Sequence, residues 1–177
     1  LFTAKKNLVL DKQFLSLYLQ KPQIIMGLMS FFKGVGEKIF KKEEVAAPTP
    51  EVEPLRAGAL LAHVKALGLP YNSLTVKTSG DTVTIEGEVA EQADAEKIAL
   101  AVGNVEGVEV VDNKLTVATP AAEATYHTVV KGDTLSKIAQ TVYGDMMKYP
   151  VIFEANKPML THPDKIYPGQ VLRIPAL

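Results

Sequence analysis

Cysteine is absent from this 177-residue chain. That excludes a disulfide framework and a thiolate metal site, and it fits a reducing compartment. An excess of one charge is also lacking. The formal net charge is −1 and the pI about 6.4, so no basic field for nucleic acid is expected. No run approaches the ~20 apolar residues of a membrane-spanning helix. The familiar catalytic patterns are missing too: Gly-x-Ser-x-Gly, a phosphate loop, a paired-histidine metal helix. Gly34-Val35-Gly36 has no strand before it and lacks the third glycine of a dinucleotide fingerprint. The three histidines, His63, His127 and His162, fall in separate elements and read as surface or structural residues. Glu86 and Glu88 share a strand face and read as solvated. The chain is expected to be a soluble, cytoplasmic protein that is not an enzyme.

What is present begins with a mixed stretch, residues 1–25. Met26 reads as the native start, and residues 1–25 as an upstream segment foreign to the fold. A secretory signal over residues 24–32 is the alternative, opposed by Lys33, Glu37, Lys38, Lys41 and Lys42. Residues 26–42 read as an N-terminal helical segment, apolar at Phe31, Phe32, Val35, Ile39 and Phe40, with Gly34 and Gly36 marking a possible break. Residues 43–54, with Pro48, Pro50 and Pro54, read as a linker.

A helix is predicted over 55–69, with Leu60, Leu61, Val64 and Leu67 on its apolar face and Gly68 and Pro70 after them. Alternating strands follow over 74–78 and 82–87. The next helix, 90–102, carries Ala95, Ile98, Ala99 and Val102 on one face. Gly103 is expected as its left-handed cap. After Asn104-Val105-Glu106-Gly107 comes a strand over 108–117, broken near Asp112-Asn113. Residues 118–125 form a second linker.

The final module, 126–177, reads as strand, turn, helix, helix, strand. Thr134 is placed as an N-cap ahead of Leu135, Ile138, Ala139 and Val142. Tyr126-His127-Thr128-Val129, Gly132-Asp133-Thr134-Leu135, Ile138-Ala139, Tyr143-Gly144, Asn156 and the closing Ile166-Tyr167-Pro168-Gly169-Gln170-Val171-Leu172-Arg173-Ile174-Pro175 stand at fixed offsets. This module resembles a LysM domain (βααβ). Residues 55–117, with the Thr-Val-Thr-Ile-Glu-Gly strand and the corner Val105 to Val108, resemble a BON domain (αββαβ). With the Met26 to Lys38 start, the whole of 26–177 resembles the Kbp family of small bacterial potassium-binding proteins.

By its residues alone, the corner 103–108 reads first as a glycine helix cap. The alternative is a ring of neutral carbonyls, which suits a large, weakly hydrated monovalent cation, whereas calcium would call for a carboxylate-rich loop. The resemblance implies the second: K⁺ held by the backbone carbonyls of Phe32, Val35, Gly103, Val105 and Val108, with Rb⁺ or Cs⁺ as substitutes. It implies an α+β protein of two small domains, the N-terminal segment docked on BON and closing on the ion. For LysM it implies a glycan groove near Gly132, Asp133, Thr134, Leu135, Asn156, Ile166 and Tyr167, or a protein-docking surface there. A monomer without membrane contact is expected. A peptidoglycan-binding envelope protein is the alternative function, and BON-mediated phospholipid binding a weaker third.

Overall fold

The structure is a computed structural model and describes residues 27–32, 34–40 and 51–177. The expected upstream segment 1–25, Met26 and most of the first linker lie outside the described residues.

The first unit opens with helix α1, Glu53–Ala66. Leu60 and Val64 are fully buried, and Arg56 lies in register with them on the same face. Pro54 belongs to this helix rather than to a linker. It stands in the first turn, where a backbone N–H has no intrahelical partner to lose. A hairpin follows, β2 (Ser73–Ser79) with β3 (Thr82–Glu91), turning at Gly80. Helix α2, Gln92–Gly103, then crosses to β4, Val110–Thr119, which runs parallel to β3. The expected break near Asp112-Asn113 is absent. Asn113 is buried within the strand because its amide oxygen accepts from the Leu115 N–H and its nitrogen reaches the Ala95 carbonyl.

Among its described residues the N-terminal segment is not helical. Leu28–Ser30 forms strand β1, antiparallel to β4 across Val110, Val111 and Asp112. Gly34 (φ 72°) and Gly36 (φ 135°) take conformations foreign to a right-handed helix. The unpaired edge of β4 offers the backbone bonds that a helix would otherwise supply. The sheet order is β1-β4-β3-β2.

The second unit is β5 (Thr125–Thr128), α3 (Leu135–Tyr143), a 3₁₀ turn (Met146–Lys148), α4 (Tyr149–Ala155) and β6 (Val171–Ile174). Thr134 caps α3 by accepting from the Lys137 amide at 3.2 Å, and Gly144 (φ 71°) ends it. β5 and β6 pair antiparallel. Among the described residues no helix is long and apolar enough to cross a membrane.

The two units share an interior. Val171 of β6, 5 % exposed, belongs to the apolar cluster built around α2 and the four-stranded sheet. Glu96 of α2 is fully buried. Its carboxylate accepts from Arg173 Nε on β6, from the Ala124 amide of the connection at 3.0 Å, and from Gln92 Nε2 at 3.1 Å. Removing one partner of a buried ion pair strands the other charge, at a cost of about 3–5 kcal/mol. Glu96→Ala is expected to lower urea-unfolding stability by that amount. A loss under about 1 kcal/mol, the worth of an exposed pair, would contradict this arrangement.

Candidate metal centre at the end of helix α2

Helix α2 stops at Gly103, and Asn104 closes it, its amide donating to the Leu100 carbonyl at 2.9 Å. The left-handed cap expected at Gly103 is not there: Gly103 has no positive φ. Its missing side chain serves another purpose. A Cβ at Gly103 would lie 2.0–2.3 Å from the ring atoms of Phe31, so the ring of the N-terminal segment occupies that space. Four residues on, Gly107 (φ 93°) reverses the chain, and the Val108 amide donates to the Val105 carbonyl at 3.1 Å.

Residues 31–40 are tied down over this corner at two points. The Phe31 amide donates to the Glu109 carbonyl at 2.7 Å. Further on, the Glu37 amide donates to the Asn104 carbonyl at 2.8 Å, and the Glu106 amide donates back to the Glu37 carbonyl at 3.0 Å. Gly36 permits the approach, since a Cβ there would stand 2.3 Å from the Asn104 carbonyl oxygen. Phe32 and Val35 lie between the two ties in the chain, and the Val35 side chain lies against Gly169. Among the described residues, no hydrogen bond is donated to the carbonyls of Phe32, Val35, Gly103 or Val108. That of Val105 accepts one and keeps a second lone pair. The same residues hold no group of three His, Cys, Asp or Glu side chains placed to bind a metal. Backbone carbonyls at the corner are neutral donors, the kind that suits a large monovalent cation.

Arg56 braces the corner from below. This buried guanidinium donates to the Gly107 carbonyl at 3.0 Å and to the Gly80 carbonyl, and lies 4.8 Å from the centre of the Phe40 ring. Beside it, His63 and Glu37 approach to 3.7 Å.

In the second unit, a cavity of about 410 Å³ opens between Thr134, Leu135 and Ser136 on one side and Tyr149, His162, Pro163 and Asp164 on the other. Thr134 and Leu135, two of the residues expected at a glycan groove, line this cavity. The other expected residues are engaged elsewhere. Asp133 accepts from the Val130 amide at 3.0 Å and contacts His127 Nε2 at 2.8 Å, while Gly132 (φ 93°) makes the turn. Asn156, 2 % exposed, donates to the Ile152 and Arg173 carbonyls and accepts from the Arg173 amide. Ile166 packs on the unit's apolar core. Tyr167 faces the first unit: burial, and then the charge of Glu37, raise its phenol pKa.

Residues 56–119 match the profile of the BON domain and residues 127–175 that of the LysM domain. One curated relative, Potassium binding protein Kbp of Escherichia coli O6:H1, is 42 % identical over 151 residues, 85 % of this chain and 99 % of that protein. The chain belongs to the Kbp family. A second relative, an uncharacterized protein of Deinococcus radiodurans, is 38 % identical over 134 residues, 68 % of this chain and 51 % of that longer protein. The match to the Escherichia coli relative spans both domains.

Three residues of the site escaped the sequence reading. Arg56 was detectable, because it falls four residues before Leu60 and eight before Val64 on the buried face. Phe31 was seen as apolar, but nothing local pairs it with Gly103. Asn104 carried no signal.

Two outcomes follow. Gly103→Ala is expected to cost about 1–3 kcal/mol by overpacking, and less in a Phe31→Ala background. Equal cost in both backgrounds, by urea unfolding, would mean that the ring is not the obstacle. Asp133 is held below its ordinary pKa, first by the Val130 amide and then by His127. Its stabilisation is therefore complete above the unfolded value of about 3.9 and lost as the pH falls through the lower folded value. The stability gap between the parent chain and Asp133→Ala should be steady above that range and close below it. A gap that widens on acidification would reverse the sign.

Proposed function

We propose that this chain is a K⁺-binding protein, a cytoplasmic sensor or buffer acting as a monomer and not as an enzyme. The ion is held by the backbone carbonyls of Phe32, Val35, Gly103, Val105 and Val108. The observation that carries the reading is the pair of ties, at Phe31 and at Glu37, that hold residues 31–40 over a helix-end corner with undonated carbonyls. The name of the Escherichia coli relative supports the choice of ion.

In this reading the ion is the last element of the closed state. Each carbonyl replaces one water of a weakly hydrated cation, and none brings the field of a carboxylate. K⁺ binds the closed segment and not the open one, so it stabilises closure by RT ln(1 + [K⁺]/Kd). Side chains at Phe32, Val35, Val105 and Val108 matter through packing, whereas Gly36 and Gly103 matter because no side chain fits there.

The test is an amide-resolved titration of metal-free protein with KCl, RbCl, CsCl, NaCl and LiCl at constant ionic strength. Saturable shifts confined to residues 31–37 and 103–108 are expected with K⁺, Rb⁺ and Cs⁺. An equal response to Na⁺ and Li⁺, or none to K⁺, would overturn the assignment. Gly36→Ala should weaken the K⁺ response by at least about tenfold, since the segment must shift by more than the 1 Å that already costs a preorganised site dearly.

A second reading rests on the cavity beside Thr134, Leu135 and Tyr149. There a peptidoglycan fragment would lie against the LysM domain, and co-sedimentation with purified sacculi tests it.

A further inference from the structure

We infer that Asn104 is the positioning residue through which ion occupancy of the corner sets the seating of the LysM domain. The inference rests on the proposed ion site and adds the residue that transmits its state. Asn104 stands between Gly103 and Val105, two of the proposed carbonyl ligands. Its backbone is committed on both sides: the amide to the Leu100 carbonyl, the carbonyl to the Glu37 amide. Its side chain is committed to the other domain. Nδ2 donates to the Val171 carbonyl at 2.9 Å, and the Val171 amide donates to Oδ1 at 2.9 Å. One residue therefore touches the covering segment, the corner and LysM.

What it touches in LysM cannot be satisfied locally. Strand β6 pairs with β5 along one edge only. The backbone groups of Val171 and Arg173 turn to the other edge, and each finds an asparagine there. Asn156, from within LysM, takes both backbone groups of Arg173 at 2.8 Å. Asn104, from the BON domain, takes both of Val171. LysM thus supplies one of its two edge caps and borrows the other. Val171 is buried, so water is poorly placed to replace the borrowed cap, and an unmade backbone bond there is costly.

The coupling is mechanical. The peptide planes on either side of the Asn104 Cα carry the carbonyls of Gly103 and of Asn104 itself. The first plane also carries the Asn104 amide, so a cation that draws on the Gly103 carbonyl holds that plane, and with it the Leu100 bond that sets the backbone from which the Asn104 side chain projects. The side-chain amide meets two bonds of fixed geometry at once, so it accepts little rotation without losing one of them. A second polar contact between the domains, Glu96 with Arg173, lies eight residues earlier on α2, about 12 Å along the helix, and stays in place whatever the ion does. The LysM domain then pivots at the Glu96 end and latches at the Asn104 end. By linkage, a latched LysM raises K⁺ affinity by the same factor as K⁺ favours latching.

The experiment is hydrogen exchange of the Val171 amide in the full chain, with and without KCl, alongside the amide shifts of residues 103–108. In the parent chain K⁺ should slow Val171 exchange about tenfold, within the usual range of allosteric coupling. In Asn104→Ala the corner amides should still respond to K⁺ while Val171 exchange no longer depends on it, and K⁺ affinity should fall by the same factor. Asn104→Ser, too short to span both groups, is expected to behave alike if the alanine variant folds poorly. Arg173→Lys, which keeps a cation facing Glu96 and leaves the latch untouched, should retain the K⁺ dependence. Undiminished K⁺ dependence in Asn104→Ala, or its loss in Arg173→Lys, would overturn the inference. A parent chain whose corner responds to K⁺ while Val171 does not would remove the relay and leave the ion site standing. A corner silent to K⁺ would remove both.

Discussion

The close contact of two backbones, residues 31–40 against the end of α2, is the constraint on which the rest depends. It exists because two positions carry no side chain. Gly36 lets the segment come within bonding distance of the Asn104 carbonyl, and Gly103 leaves the space that the Phe31 ring fills. Strand β1 precedes these contacts and extends them as pairing to β4. The segment thus becomes part of the BON domain without an extra core of its own. Arg56 completes the arrangement by fixing the Gly107 carbonyl and lying against Phe40.

The same corner lies at the seam between the domains. Small domains bury a limited fraction of their surface and gain from sharing it. Here Val171 of LysM sits in the BON core, and a fully buried Glu96 binds Arg173. A buried ion pair contributes little net stability against an apolar replacement, but it penalises any misaligned docking by leaving charges unpaired. The seam is therefore specific in geometry, and the backbone groups of β6 that it satisfies would otherwise be an open strand edge. Val35 of the covering segment also reaches Gly169, where a Cβ would stand 3.0 Å from its side chain. The N-terminal segment, the corner and the LysM turn thus meet in one place.

Much of the architecture was legible from local pattern. The 3.6-residue spacing of Ala95, Ile98, Ala99 and Val102 gave α2, and alternation in residues 82–87 gave the inward Val83 and Ile85. Thr134 and Gly144 marked the ends of α3 through cap chemistry that acts within a few residues. The errors fell where a distant partner decides. Residues 28–30 pair as a strand because the β4 edge lies open to them, 80 to 84 residues away in sequence. Gly103 is required by Phe31, not by its own φ. Asn156 is buried against β6 and Tyr167 lies near Glu37, placements that no local pattern announces.

The sequence by itself determined the two domains, their helices and most strands, because periodicity, caps and glycine turns are short-range effects. It also carried the family resemblance. Only the tertiary structure decided that residues 31–40 lie across the end of α2, that Phe31 fills the space at Gly103, and that Asn104 completes an edge in the other domain. Those contacts join residues 67 to 78 positions apart. Such pairs leave no periodic trace in a chain, since each depends on a shape that exists only after both domains have folded.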